Sequence, residues 1–138
     1  RLTGEVREKN GLVYSVYSYF MPLTQKGPFQ IGLQTKKSQM NDALNLVNQV
    51  MKDFIEKGPT KEELKDAKMN LIGGFPLRLD SNKKIAEYIS MMAIYNYPID
   101  YLENFAKNID KVTIEDIKDA FQRRIDMSRF STVIVGNS

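Results

Sequence analysis

Apolar residues recur with a period of two between about residues 12 and 34 and with a period near 3.6 from residue 43 onward, and this change of rhythm restricts the folds open to the chain. Residues 12 to 20, LVYSVYSYF, are rich in β-branched and aromatic types. They alternate Val13, Ser15, Tyr17 and Tyr19 against Leu12, Tyr14, Val16, Ser18 and Phe20, which predicts a strand at least half covered on both faces. MPLTQKGP, with two prolines and a glycine, reads as a loop, and FQIGLQTKK alternates again. Together they predict an antiparallel hairpin with one apolar face. After it, Ala43, Leu44, Val47, Val50, Met51, Phe54 and Ile55 form one helical stripe that Gly58-Pro59 closes.

Capping chemistry marks the later elements. Thr60 with Glu63 is the reciprocal box that opens a helix, and Leu64, Ala67, Leu71 and Ile72 carry its apolar face to Gly73-Gly74. That pair, with Pro76 behind it, breaks or kinks the element, as a plain bend or as a hinge. Ser81 caps a further helix with inner face Ile85, Ile89, Met92 and Ala93, ending near Tyr97-Pro98. Asp100 with Glu103 and Thr113 with Asp116 start two more, and RFSTVIVGN reads as a closing strand. At the other end RLTGEVREKNG reads as a helix already under way, with Leu2 and Val6 one turn apart and Asn10-Gly11 as its stop. No capping residue precedes Arg1, so the expectation is a piece of a longer chain. The order of helix, two strands, several helices and one strand favours an α+β architecture, an antiparallel sheet with a layer of helices on one face. With 138 residues and 42% apolar content, residues 1–138 are expected to form one domain.

Composition removes several function classes. Twenty basic against 17 acidic side chains leave a net charge of +3, spread along helical faces, which argues against nucleic-acid binding. Lys36-Lys37, Lys83-Lys84 and Arg123-Arg124 read as solvated surface. Without cysteine there is no thiol nucleophile, disulfide or thiolate metal site. Without histidine, the commonest zinc ligand and neutral-pH base, a self-contained zinc hydrolase is excluded as a working hypothesis. No stretch approaches the roughly 18 apolar residues of a membrane span.

The stretch REKNGLVYSVYS closely resembles the (R)EKxGLxYSV signature of the second, non-zinc domain of M16 (pitrilysin-like) metallopeptidases. The likeness continues through PFQIGLQT, the amphipathic helix, GPTKEELKDAK, VTIEDIKDAF and a last VIVG. It implies the LuxS/mitochondrial-processing-peptidase-like α+β fold. It also implies a partner: a homologous zinc-binding M16 domain, on the same chain or a separate subunit, enclosing a peptide substrate. No cofactor is expected in this domain, the zinc belonging to the partner half, and the family suggests a bacterial periplasmic or envelope location.

In such assemblies the second domain is understood to contribute an arginine and, seven residues on, a tyrosine that face the zinc. Arg7 and Tyr14 match that pair and become the candidate catalytic residues, for substrate positioning and transition-state stabilisation respectively. A phenol aimed at the oxygen that becomes negative during peptide hydrolysis lowers the barrier, and a guanidinium fork holds substrate carbonyls at any working pH. Two plainer readings stay open from the residues alone: Arg7 as the partner of a neighbouring acid, and Tyr14 as one more strand aromatic. Gly11 is expected to serve the turn between them. At the level of the protein, the alternative is a non-catalytic assembly subunit that keeps the fold without proteolysis, and an unrelated binding module is the third reading.

Overall fold

The hairpin forms as its alternation predicts. In the computed structural model, which describes residues 1–136, β1 (Ser15–Phe20) pairs antiparallel with β2 (Phe29–Gln34), with Val16 opposite Leu33, Ser18 opposite Ile31 and Phe20 opposite Phe29. These pairs share one face, and Val16, Ile31, Leu33 and Phe29 join the core while Tyr17 and Tyr19, on the opposite face, are exposed. The alternation of residues 12 to 20 predicts at least half coverage of both faces, and the structure corrects this: the strand begins at Ser15 and its Tyr17 and Tyr19 face is exposed. The loop between the strands requires Gly27, since a side chain there would meet the Met21 carbonyl.

The chain divides into two compact units, Arg1–Gly58 with the segment from Lys118 onward, and Pro59–Ile117. In the first, a helical segment Thr3–Lys9 of π geometry precedes the hairpin, and α1 (Met40–Lys57) follows it. Ala43, Val47, Val50 and Met51 of α1 meet Leu2, Val6, Val13 and Val16 in one buried cluster that Ile125 completes. These are the positions the 3.6-residue stripe singles out. An aromatic group borders the cluster: Phe121, near the end of α5 (Ile114–Arg124), stands edge-on to Phe54 at 4.8 Å and to Phe20 at 5.6 Å. Arg1 lies over the Phe54 ring at 4.9 Å and pairs with Asp53 at 3.4 Å.

The second unit is helical. Thr60 and Glu63 form the reciprocal box that opens α2 (Lys61–Gly74), with Thr60 N–H donating to Glu63 at 2.7 Å and Glu63 N–H to the Thr60 hydroxyl at 3.1 Å. The helix stops after Gly74, and Pro76 begins a short 3-10 turn. Ser81 accepts from the Lys84 amide to start α3 (Asn82–Ile94). Phe75 is buried, stacked on Phe105 of α4 (Tyr101–Lys111) at 4.0 Å and edge-on to Tyr88. Thr113 and Asp116 exchange backbone-to-side-chain bonds at 2.9 and 3.1 Å to open α5. Asp100 flanks α4, but its carboxylate accepts from Asn104 at 2.7 Å instead of capping the backbone.

Three expectations fail in detail. Ile85 and Ile89 are exposed, leaving Met92 as the buried residue of α3. Ala67 of α2 is exposed as well. The closing strand of RFSTVIVGN is not formed: Phe130 to Val135 lie outside any ladder, with Val133 85% and Val135 93% exposed, and Asn137 falls outside the described residues. β-propensity makes such a segment ready to pair, but a strand exists only where another supplies its hydrogen bonds.

Candidate functional site

Arg7 and Tyr14 sit on either side of one tightly held turn. Upstream, Leu2 and Val6 are buried against α1, so the segment Thr3–Lys9 is fixed along its inner side while Arg7 is exposed. Glycine at position 11 takes a left-handed φ of 60°, a conformation that side chains rarely adopt, and its N–H donates to the Arg7 carbonyl at 3.0 Å. The Leu12 amide reaches back to the Val6 carbonyl at 3.1 Å, and the Asn10 side chain donates to the Glu5 carbonyl at 2.7 Å. Downstream, the Thr35 hydroxyl donates to the Leu12 carbonyl at 2.5 Å, Val13 is buried, and the Tyr14 amide donates to the Gln34 carbonyl at 2.8 Å. The backbone from Val6 to Tyr14 is thus bonded to its own segment at one end and to the strand region at the other.

The side chains at the two positions are exposed. Tyr14 is 61% exposed, and its ring takes no part in the stacking of Tyr17 on Tyr19. Among the described residues neither the Tyr14 hydroxyl nor the Arg7 guanidinium makes a hydrogen bond or an ion pair. Glu5, an acid on the same segment, is bound by Lys9 at 2.7 Å. Among the described residues Arg7 has no acidic partner, and the Tyr14 ring stacks on no other aromatic. Among the described residues no three acidic side chains gather where they could hold a metal ion.

Sequence reasoning passed over the exposed face of the hairpin. The Tyr17 ring lies over Gly32, where any side chain would collide with it, and the Tyr19 hydroxyl donates to the Gln30 side chain. The signal was present as glycine opposite an aromatic in the paired register, but it becomes visible only once Tyr17 is known to face Gly32.

Residues 1–71 match the family described as the peptidase M16 inactive domain, and the chain belongs to that family. A crystal structure of a peptidase M16 inactive domain from Pseudomonas fluorescens superposes with a TM-score of 0.83 at 40% identity, covering 91% of this chain and 30% of that one. Among curated proteins, the non-peptidase homolog YmxG of Helicobacter pylori is 34% identical over 99% of this chain and 32% of its own length. A Mycobacterium leprae protein described as an uncharacterized zinc protease is 25% identical over 99% of this chain and 30% of its own length. The chain spans about a third of the length of the curated relatives it matches.

Proposed function

We propose that this chain is the zinc-free half of an M16-type metallopeptidase, one wall of a chamber that a homologous zinc-bearing half, on the same polypeptide or a separate subunit, completes around a peptide. The observation that carries the proposal is the clamped turn, which presents an exposed guanidinium and an exposed phenol seven residues apart, both without partners among the described residues. A free arginine fork holds peptide carbonyls through paired hydrogen bonds and stays charged at any working pH. A tyrosine hydroxyl donates to the carbonyl oxygen as negative charge develops there, and fixing that donor in advance spares the reaction its reorganisation. In the partner half, zinc would polarise the scissile carbonyl. Arg7 positions the peptide, and Tyr14 stabilises the transition state. The chain by itself performs neither cut nor metal binding in this reading, which accords with its lack of histidine and cysteine.

The test is turnover of a peptide by the assembled enzyme. Tyr14→Phe should lower kcat by about a hundredfold, the usual effect of losing one such donor, with KM and zinc content unchanged. Arg7→Ala should raise KM as well. Wild-type turnover in both variants would refute the assignment.

The name of the Helicobacter pylori relative favours a second reading, in which the chain belongs to an assembly that keeps the fold without proteolysis. In that case the wild-type assembly forms and cuts nothing.

A further inference from the structure

One face of α2 is built unlike the others. Lys61, Leu64, Lys65, Lys68, Met69 and Ile72 fall at intervals of three and four, a single helical stripe, and they line one wall of a cleft of about 530 Å³ within the second unit. Asp110, at the end of α4, and Ile114, at the start of α5, belong to the opposite wall. The Lys68 amine donates to the Asp110 carbonyl at 2.5 Å and ties the two walls together. Most of the lining is apolar, yet the cleft is open to solvent and Met69 is 59% exposed.

The charges on this stripe are unbalanced. Lys61 and Lys65 are exposed, and among the described residues neither amine has a hydrogen bond or an ion pair. They stand four residues apart on one helix, where like charges repel and destabilise the helix by a few tenths of a kcal/mol. The lining carries three amines, one of them given to the Asp110 backbone carbonyl, and a single carboxylate, that of Asp110. An acid placed between Lys61 and Lys65 would relieve the repulsion, and an apolar side chain beside it would cover Leu64, Met69 and Ile72. A phosphate backbone satisfies the first requirement and not the second.

We propose that this cleft docks an acidic amphipathic segment of another protein, with carboxylates along one side and apolar side chains next to them. The inference is independent of Arg7 and Tyr14. Binding uses ion pairs at the rim and burial of the apolar stripe, so it weakens with added salt without vanishing.

A labelled synthetic helical peptide with glutamates at i, i+4 and i+7 and leucines between them is the probe, titrated into the whole chain by fluorescence anisotropy. Control peptides replace glutamate by lysine or leucine by serine. The acidic apolar peptide should bind and shift amide resonances confined to Lys61–Gly73 and to Asp110–Ile114, while both controls bind at least tenfold more weakly. K61E/K65E should weaken the acidic peptide by about tenfold, the sum of several exposed ion pairs, and favour the lysine peptide instead. Lys61 stands in the first turn, where an acid suits a helix, and Lys65 is exposed, so this variant retains its fold. Met69→Ser, which leaves every charge in place, should also weaken binding. The proposal is overturned if the acidic peptide binds no tighter than the lysine or serine control, if neither variant changes its affinity, or if the shifted resonances lie elsewhere.

Discussion

Val6 holds the turn that presents Arg7, and its removal gives a calculable effect. The side chain is 0% exposed and packed among Leu2, Val13 and residues of α1. Val6→Ala deletes two methyl groups, which forfeits about 1.6 kcal/mol of transfer free energy at roughly 0.8 kcal/mol per group. The space left behind adds about 1 kcal/mol, because a core closes over a void only in part. The combined loss of about 2.5 kcal/mol should lower the urea midpoint by about 1 to 2 M. Val133→Ala deletes the same atoms from a residue 85% exposed and should cost less than about 0.5 kcal/mol. Equilibrium unfolding followed by circular dichroism measures both. Hydrogen exchange then locates the damage, since the amides of Gly11 and Leu12, bonded to the Arg7 and Val6 carbonyls, should exchange faster in Val6→Ala. Equal losses in the two variants would show that Val6 does not anchor the turn.

Two further outcomes follow from the helix termini. Thr60→Ala removes the side-chain acceptor for the Glu63 amide and should cost about 1 kcal/mol in chemical denaturation, whereas an unchanged midpoint would mean that the box is not formed in solution. Hydrogen bonding to Arg123 holds the Asp119 carboxyl below its ordinary value of 3.8, and bonds from Ser128 do the same for Asp126. Because folding depresses both, their contribution is complete above pH 3.8 and is lost as pH falls below it. The double variant Asp119→Asn with Asp126→Asn should therefore show a flatter acid limb in its plot of midpoint against pH, and curves parallel to wild type would refute the linkage.

Local rules made most of the fold legible. Leu2 and Val6, the α1 stripe and the two capping boxes announce themselves by spacing, because each depends on neighbours within four residues. The hairpin was readable from the period-two alternation within each strand, although its pairs lie nine to nineteen residues apart. What the sequence hid depends on partners. Ile85 and Ile89 have the periodicity of an inner face, but periodicity records that a side is apolar and cannot say that anything covers it. The segment Phe130–Val135 has strand composition and lacks a neighbouring strand to bond. At the site, spacing and resemblance singled out Arg7 and Tyr14. That they lack partners among the described residues is a property of where Lys9, Glu5 and the tyrosines of β1 are placed, which no short motif records.

The unladdered segment Ser131–Val135 also sets how the chain must be handled. Valine and isoleucine, uncharged, open to solvent and outside any ladder, are the usual starting point for intermolecular sheet growth, which proteins normally block with lysine or proline gatekeepers. Purified at high concentration, this polypeptide should oligomerise through that stretch, and Val133→Lys should keep it dispersed without altering the packed cluster around Val6.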